Sequence, residues 1–419
     1  MRILMLTSDH LMIDRRILQS AKTLIDAGAS VRLLAGFECP KEEAYDIGEI
    51  HVERNVFDWH DTRVRRIMDK LPIKLTGNLR TLAWVKLRDA ISKITKVNTF
   101  EHFIMRKAFE QPFDVVHVHD YPMLSSGLHV ARRANAPIVY DAHELYHAQA
   151  VLPEETQKIY RATERKLIRE VDVAITVNPF IAAEMAKDYH IPQPNVLVNA
   201  MPYKPVEGKG IRDKFGWDKS IRIVMYQGWM SAERGIDKLV RAAAHFPPNV
   251  RLVLVGYGAV EDELKKISEE QGTARDGRVV FFGRVEPEDL APLTAEADLG
   301  VIPYEAVDLN HYYCSPNKLF EFVMAGVPFV ANDLPYLRLM CETHGIGQVV
   351  DLKSEEALAR AVREILGDEK RYAEMREAAV RARKVLNWEV EGAKLVDLYN
   401  QKISPRIGQK LVTTSVAIF

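Results

Sequence analysis

The stretch YYCSPNKLFEFVMAGVPFVAND, residues 312 to 333, holds one complete helix-to-strand unit. Ser315 is expected to cap the helix and Pro316 to occupy its first position, because proline has no backbone N–H to leave unpaired. Gly326 is expected to end the helix. The apolar run VPFVAN that follows predicts a buried strand. A helix followed directly by a buried strand is typical of α/β proteins.

Two charged residues interrupt this otherwise apolar helix. On a 3.6-residue wheel, Lys318 and Glu321 fall opposite the side formed by its leucine, phenylalanine and valine residues, so one side packs and the other faces something polar. A solvated helix surface is one explanation. A binding site is the other, since the free N–H groups and dipole of a helix start attract anions and Lys318 adds a cation there.

Strand and helix patterns alternate outward from this unit in both directions. Strand-like runs occur at 2–8, 31–36, 114–120, 137–144, 171–177 and 195–200, then at 221–228, 250–256, 279–283, 299–304 and 327–333. Helical patterns separate them, so each series predicts a doubly wound parallel sheet.

The two series predict two tandem Rossmann-like domains with a cleft between them. Residues 201 to 220 are rich in proline, glycine and charge, and we interpret them as the linker. The boundaries are then residues 1–203 for the first domain and 204–385 for the second. A final helical segment, residues 386–419, has Trp388 and Tyr399 available as aromatic anchors.

Composition favours a globular protein of a reducing compartment. The 419 residues exceed the usual size of one core, and 57 Lys plus Arg nearly balance 58 Asp plus Glu, which argues against wholesale nucleic-acid binding. Three widely spaced cysteines form neither a disulfide framework nor a metal spacing. The first residues enter a strand directly, without a signal-peptide pattern, and no apolar run approaches a membrane span. A cytoplasmic protein is expected.

One segment departs from the charge balance. Residues 62 to 107 contain twelve Lys or Arg against three Asp or Glu, with apolar residues at helical spacing. A basic, solvated pair of helices explains this composition, and so does a surface for anionic lipid or a polyanionic acceptor, at the inner face of the plasma membrane.

Loops at the carboxyl ends of the predicted strands are where ligands of doubly wound domains bind. Gly228 permits close backbone approach, and Arg234 offers a bidentate phosphate fork. The GYG at Gly256 lacks the third glycine of a dinucleotide fingerprint, since Glu261 stands there, which counts against NAD. His143 with the adjacent glutamate follows a strand of the other domain, facing the cleft.

A rival interpretation is a metal-dependent hydrolase. His117 and His119 alternate on one side of a strand and Asp120 follows, which superficially matches a metal triad. Such a site needs further ligands, and the neighbouring strands supply no second cluster. Two further functions also remain open: a nucleotide-sugar epimerase, and a protein that binds a nucleotide without catalysing a reaction.

Taken together, the motifs resemble the retaining glycosyltransferases of family 4, which have the two-domain GT-B fold. The resemblance spans nearly the whole chain and is carried, in order, by IDRRILQSAKTLIDAGASVRLLA, DVVHVHDYP, YDAHE, YQGWMSAERGIDKLVRAA, LVLVGYGAVEDEL, VVFFGRVEPEDLAPLTAEADLGVIPYE and SPNKLFEFVMAGVPFVAND. The last motif is similar to that of bacterial enzymes of surface-polysaccharide assembly.

The resemblance implies a hexosyltransferase that needs neither a metal nor a cofactor and takes a UDP- or GDP-linked sugar as donor. The acceptor would be a glycan or a polyprenyl-diphosphate-linked sugar bound by the first domain, and the last helix would cross back to that domain. Glu321 matches the family's ribose-binding glutamate, Arg234 the diphosphate cation and His143 the histidine beside the donor sugar. Two positions depart from the family pattern, Tyr313 in place of a glutamate and Trp229 in place of an arginine.

The resulting expected site has three parts. The catalytic set is His143, Arg234 and Lys318. The donor-binding set is Gly228, Trp229, Gly256, Arg284, Ser315, Pro316, Asn317 and Glu321. The acceptor-side candidates are Asp14, His119, Asp120 and Glu144.

Overall fold

The computed structural model describes residues 1–9, 12–59, 61–70, 77–352 and 354–412. Two parts of the sequence predictions lie outside these ranges, namely Lys74 of the basic segment and residues 413–419 of the final segment. The strands are β1 Arg2–Thr7, β2 Ser30–Ala35, β3 Glu38–Ile47, β4 Ile50–Val56, β5 Val115–His119, β6 Ile138–Ala142, β7 Val173–Thr176, β8 Asn195–Val196, β9 Arg222–Gln227, β10 Val250–Val255, β11 Val279–Gly283, β12 Leu299–Ile302, β13 Phe329–Asn332 and β14 Gly347–Val350.

Helices connect the strands throughout. They are α1 Arg15–Asp26, α2 Thr62–Met68, α3 Gly77–Thr95, α4 Thr99–Ala108, α5 Tyr121–Ala134, α6 Glu154–Leu167, α7 Pro179–Tyr189, α8 Ile211–Phe215, α9 Ile236–Ala242, α10 Glu261–Glu270, α11 Pro287–Ala295, α12 Leu309–Tyr312, α13 Asn317–Ala325, α14 Pro335–His344, α15 Glu355–Gly367, α16 Glu369–Ala382, α17 Trp388–Leu398 and α18 Ser404–Ile407. None of the helices in the described ranges is long and apolar enough to span a membrane.

The described strands form two sheets, as the alternation predicts. The first has the order β3-β4-β2-β1-β5-β6-β7-β8 and the second β11-β10-β9-β12-β13-β14. Neighbours are parallel except for β3 and β4. The β3–β4 pair and β14 are absent from the sequence prediction. β3 is charged and carries a proline, which an edge strand tolerates because its outer side needs no hydrogen bond.

Helices cover both faces of each sheet, so each sheet is buried between two apolar layers. The first sheet packs against α1 on one face and α5 on the other, and the second packs against α9 on one face and α13 on the other. This doubly wound arrangement places the carboxyl ends of the parallel strands at one edge of each sheet. Those two edges face each other.

Two segments join the halves of the molecule. The predicted linker is mostly exposed and is anchored at α8, where Ile211 is fully buried and its N–H donates to the Glu296 carboxylate at 2.6 Å. The last helix crosses back to the first domain, as expected. In α17, Trp388 donates from Nε1 to Thr23 Oγ1 at 2.8 Å, and Leu395 packs in the core of the first sheet. The positions of the domain boundaries stay a prediction.

Candidate active site

A cavity of about 1180 Å³ separates the carboxyl edges of the two sheets. The first sheet contributes the loops after β1, β5 and β6, and the second contributes the loops after β9 and β12 with the start of α13. Most of the expected site residues line it, namely Asp14, Asp120, His143, Glu144, Gly228, Trp229, Arg234, Ser315, Pro316, Asn317, Lys318 and Glu321. Residues more than 300 positions apart thus meet in one cleft.

The start of α13 forms the floor of the second-domain side. The helix begins at Asn317 with Pro316 in the cap position, so the prediction that Ser315 caps it is wrong. No side chain caps this terminus. Its first N–H groups are therefore left for a ligand at the edge of the cavity, where they and the helix dipole favour an anion. Gly326 ends the helix in a left-handed conformation, φ 71°, as expected.

Two cations converge above this helix start, on a single tyrosine. Lys318 is buried, and its Nζ donates to Tyr304 Oη at 2.7 Å. The Arg234 guanidinium lies over the Tyr304 ring, 4.0 Å from its centroid. Lys318 also lies 4.9 Å from the Tyr226 ring centroid. Because aromatic rings hold a cation without neutralising it, the positive charge of Lys318 remains available to an anion. Arg234 also has a carboxylate neighbour, since its Nε lies 3.6 Å from Glu233 Oε1.

Glu321 lies one turn further along α13, and both of its carboxylate oxygens are engaged. Gln227 Nε2 donates to Oε2 at 2.6 Å, and Arg15 Nη1 donates to Oε1 at 3.1 Å. Arg15 belongs to α1 of the first sheet, so this ion pair spans the cleft. Lys318 is buried and Glu321 is partly buried with two polar partners, so the solvated-surface explanation does not hold.

Three glycines allow two loops of the second sheet to touch. A Cβ on Gly256 would lie 2.1 Å from Gly228 O, and one on Gly258 would lie 2.2 Å from Met230 O. Gly228 itself has φ 106°, which favours glycine. The loop after β9 is thereby fixed directly beside Lys318.

An aromatic rim borders the loop after β9. Trp229 meets Tyr257 edge to face, with ring centroids 5.2 Å apart, and both side chains are exposed. Arg284 lies over Tyr257, 5.0 Å from the ring centroid, and does not line the cavity. The expected donor residues Gly256 and Arg284 therefore lie beneath and beside the cavity rather than in its wall.

Asp120 is the strained residue of the first-domain side. Its backbone has φ 61° and ψ 161°, a region used almost only by glycine, at a typical cost of about 1–3 kcal/mol. The fold holds it there because Asp120 N donates to Asp141 O at 3.0 Å. Its carboxylate accepts from His143 N at 2.9 Å and lies 3.2 Å from His143 Nδ1. The strained turn thus aims a carboxylate at the histidine.

Burial and neighbouring charges act in opposite directions on the pKa values of His143 and Asp120. Burial alone would lower the pKa of the His143 imidazolium, but the Asp120 and Asp141 carboxylates outweigh it and raise the pKa to about 9. Burial raises the pKa of the Asp120 carboxyl to about 7, although His143 acts in the other direction. Burial also raises the pKa values of Asp9 and Glu144. At neutral pH the histidine therefore carries a positive charge.

A buried ion pair supports His143 from behind. Arg16 donates to both oxygens of Asp141, at 2.9 and 3.0 Å, and its charge holds the pKa of that carboxyl well below the usual range despite burial. His119 is fully buried, with Nδ1 3.3 Å from His143 Nε2. His119 is thus placed to contact His143 rather than an acceptor. His117 stacks on His119. Its Nδ1 lies 2.8 Å from Oη of Tyr399, the residue that directly follows α17.

This buried cluster brings His117 and His119 together with Asp141, not with the Asp120 of the predicted metal triad. Nitrogen and oxygen atoms of His117, His119 and Asp141 lie within 4.8 Å of one another, and Nε2 of both histidines lacks a hydrogen-bond partner within the described residues. Both Asp141 oxygens, however, already accept from the Arg16 guanidinium. A fixed positive charge on the one carboxylate disfavours a cation there, so the chemistry of this donor set does not fit a metal ion.

Hydrogen bonds tie the two sides of the cleft together near Glu144. Asn310 accepts from Leu145 N at 3.0 Å and donates to Glu144 Oε2 at 2.9 Å. Nearby, Asn178 donates to Tyr313 O at 2.7 Å. The segment that leads into α13 is therefore docked on the first domain, and the cleft is closed over part of its length.

Several residues of the site escaped the sequence reasoning. They are Arg15, Arg16, Asp141, Gln227, Tyr304 and Asn310. Asp141 lies within the quoted motif YDAHE and Tyr304 follows a predicted strand, so position at a strand end could have singled out both. Nothing in the sequence signals that Arg15 reaches Glu321.

Two sequence profiles match the chain and together cover most of it. The profile described as "Glycosyl transferase 4-like domain" matches residues 13–201, and "Glycosyl transferases group 1" matches residues 209–382. A D-inositol 3-phosphate glycosyltransferase from Xylanimonas cellulosilytica is 25% identical over 320 residues, which are 70% of this chain and 73% of that protein.

Solved structures share the fold at low sequence identity. Sucrose-phosphate synthase from Thermosynechococcus elongatus aligns with a TM-score of 0.71 at 18% identity, over 96% of this chain and 98% of that one. Anabaena HepE in complex with UDP and glucose aligns with a TM-score of 0.67 at 16% identity, over 96% and 100%.

Two facing Rossmann-like domains with a polar cleft and a returning C-terminal helix define the GT-B class of enzymes. The chain belongs to the family 4 glycosyltransferases. It is an enzyme that transfers a sugar from a nucleotide sugar, in a family of retaining hexosyltransferases.

Proposed function

We propose that this protein transfers a hexose, with retention, from a UDP-linked donor to a sugar of a lipid-linked glycan in cell-surface polysaccharide assembly. One observation carries the proposal: Arg234, Lys318 and the uncapped start of α13 converge on one side of the cleft, opposite His143. Fixed cations and helix starts stabilise a departing diphosphate in a cleft shielded from water. UDP is favoured because HepE, which shares the fold, holds UDP.

In this mechanism each side of the cleft has a separate task. On the second domain, Glu321 binds the ribose hydroxyls while Lys318 and Arg234 bind the diphosphate. On the first domain, the His143 imidazolium lies beside the donor sugar, where it stabilises negative charge on the departing phosphate. The leaving phosphate itself takes the acceptor proton.

The charge of the first-domain side indicates which part of the acceptor binds there. Asp9, Asp14, Asp120 and Glu144 all line it. Away from the His143 imidazolium, such a wall disfavours phosphate and accepts hydrogen bonds from sugar hydroxyls. The reacting end of the acceptor is therefore a neutral sugar, and the anionic part of the molecule binds elsewhere.

A thermal-shift series tests the donor site. UDP, GDP and ADP are added to wild type, to Glu321→Ala and to Glu321→Gln, which keeps the size of the side chain. A ligand at a hundredfold excess over its dissociation constant stabilises the native state by about 2.7 kcal/mol. UDP is expected to stabilise wild type, with the shift lost in Glu321→Ala. An equal response of wild type and Glu321→Ala would show that the nucleotide binds elsewhere.

We also propose that the basic segment holds the enzyme against an anionic membrane on the cytoplasmic side. Within α3, Arg80, Lys86 and Lys93 are exposed, and so are Leu79 and Leu82. Each basic residue near an anionic surface contributes about 1 kcal/mol.

The test replaces Arg80, Lys86 and Lys93 with serine and measures sedimentation with vesicles of phosphatidylglycerol and phosphatidylcholine. Arg63 is left in place, because it is bound to Asp61. Exposed basic residues of the second domain, Lys266 and Arg381, provide the control. Binding that is unchanged in the α3 variant and in the control alike would exclude this surface.

A further inference from the structure

A second cavity lies in the first domain, away from the cleft. It has a volume of about 520 Å³ and is lined by the rings of Phe37, Phe57, Trp59 and Phe100, together with five polar residues, Arg88, Asp89, Ser92, Asn98 and Thr99. We call it the aromatic pocket. Phe57 and Trp59 lie 4.5 Å apart between ring centroids, and Phe57 and Phe100 lie 5.3 Å apart.

The aromatic pocket opens at the same sheet edge as the active site. Phe37 follows β2 and Phe57 follows β4, and Phe57 N donates to Phe37 O at 2.7 Å. Both strands are parallel to β1, whose carboxyl end leads into the cleft. Only β2 separates β1 from β4, so the two strands lie about 10 Å apart at a strand spacing of about 4.8 Å. One extended molecule can therefore reach both cavities.

Two of the polar side chains at this pocket are already bonded within the protein. Asn98 Oδ1 accepts from Glu101 N at 2.9 Å, as the cap of α4, and Thr99 Oγ1 donates to Asp61 at 3.3 Å. The hydroxyls of a sugar bound here would face aromatic rings and, at Asn98 and Thr99, oxygen atoms that already have hydrogen-bond partners. A hydrocarbon chain loses nothing by leaving water for such walls.

The mouth of the pocket combines apolar exposure with positive charge. Trp59 is 67% exposed, a large fraction for a tryptophan. Arg88 of α3 lines the pocket but pairs with Asp89, which lines it too, at 2.9 Å. The further positive charge of this helix is that of Lys86 and Lys93, which are exposed to solvent. An apolar pocket beside a helix that carries exposed lysines is complementary to an amphiphile that has an anionic head.

We infer that the aromatic pocket holds the hydrocarbon chain of the lipid phosphate that carries the acceptor sugar. The inference rests on the proposed function, since it takes the acceptor to be lipid-linked. It assigns the three parts of that acceptor to three places: the chain to the aromatic pocket, the phosphate to the basic residues of α3, and the neutral sugar to the acidic side of the cleft. The protein would then select acceptors by their lipid as well as by their sugar.

The test measures binding of farnesyl phosphate to the full-length protein by calorimetry, with inorganic phosphate and maltose as comparison probes. Ser92→Phe fills the pocket from α3, and Trp59→Ser opens its exposed wall. Ile94→Ser is the matched control, because Ile94 is 82% exposed on the same helix and does not line the pocket. A UDP thermal shift on each variant reports whether the donor site is intact.

Farnesyl phosphate is expected to bind wild type and Ile94→Ser equally and both pocket variants at least tenfold more weakly, with the UDP shift unchanged. Equal farnesyl phosphate binding by all four proteins would overturn the inference and leave the donor site standing. Inorganic phosphate binding as tightly as farnesyl phosphate, or maltose binding that depends on Trp59, would also overturn it. If UDP did not raise the melting temperature of the wild-type protein, that result would instead contradict the proposed function.

Discussion

The two sides of the cleft hold their charges in opposite ways. On the second domain, Lys318 and Arg234 rest against Tyr304. Among the described residues Lys318 pairs with no carboxylate, whereas Arg234 Nε also lies 3.6 Å from Glu233 Oε1. On the first domain, His143 lies between the carboxylates of Asp120 and Asp141. Aromatic support leaves a cation free to bind a ligand, whereas carboxylate support fixes the protonation state of a histidine.

This difference suits the two halves of a glycosyl transfer. The donor side must accept a diphosphate and stabilise the charge that grows on it, which requires cations with unsatisfied charge. The acceptor side must bind neutral hydroxyls and keep one histidine charged over the working pH range. The following predictions test each side of the comparison, beginning with the largest expected effect.

Replacing Lys318 with methionine removes the buried cation and keeps most of the side-chain volume. Loss of one fixed donor to a developing charge typically costs about 100- to 1000-fold in rate. We expect a loss of this size in UDP release from the donor sugar, measured with a coupled UDP assay. Lys266→Met, at an exposed position on α10, is the control and should keep full activity. A loss smaller than tenfold for Lys318→Met would remove this residue from the mechanism.

Replacing Asp120 with asparagine tests the carboxylate support of the opposite side. His143 and Asp120 have raised pKa values, about 9 and about 7, so both bind protons more tightly in the folded state. Stability from the charged histidine is therefore fully present below about pH 6.5 and is lost as the pH rises through 9. In Asp120→Asn the His143 pKa should fall towards its ordinary value, and the alkaline limb of activity should move to lower pH with it.

Histidine NMR titration measures this pKa directly, and melting temperatures from pH 6 to 9.5 measure the stability. In a domain of this size, 1 kcal/mol corresponds to about 2–4 °C. Wild type should lose stability across that range, and Asp120→Asn should lose less of it above pH 7. A His143 pKa that stays near 9 in the variant would show that Asp141 alone sets it.

Replacing Tyr304 with phenylalanine separates the two kinds of support on the donor side. The ring beneath Arg234 remains, and the hydrogen bond to Lys318 Nζ is lost. A single hydrogen bond contributes about 0.5–1.5 kcal/mol, so UDP affinity should fall about three- to tenfold. Calorimetric titration with UDP checks this. A loss as large as that of Lys318→Met would mean that the hydroxyl acts on the ligand itself.

Replacing Trp229 with arginine should strengthen the donor side slightly. Trp229 lines the cavity and is 50% exposed, so a new cation there meets the diphosphate in partly solvated surroundings. Exposed ion pairs contribute about 0.2–1 kcal/mol, which corresponds to UDP affinity about 1.4- to fivefold higher at low salt. The gain should shrink in 0.5 M NaCl because of screening. Weaker UDP binding at both salt concentrations would show that the Trp229 ring itself contacts the nucleotide.

The sequence determined the fold class to a large extent, and it predicted several residues of α13 that line one side of the cleft. Alternating apolar runs specify parallel strands, because residue patterns of period 2 and 3.6 reflect local backbone geometry. Lys318, Glu321 and the chain around Ser315 could be placed in one site because they share a short helix start. Local patterns did not find the polar edge strand β3, and they misassigned the cap of α13, whose first residue depends on how the preceding loop docks.

Only the tertiary structure decided what surrounds these residues. Arg15 reaches Glu321 across 306 residues, and Arg16 reaches Asp141 across 125. The charge state of His143, the strain at Asp120 and the aromatic support of Lys318 all depend on such contacts. Burial and long-range electrostatics are properties of the packed chain, and no local pattern encodes them. The sequence by itself thus determined which groups are available for transfer, and the fold decided which of them carry charge and where they meet.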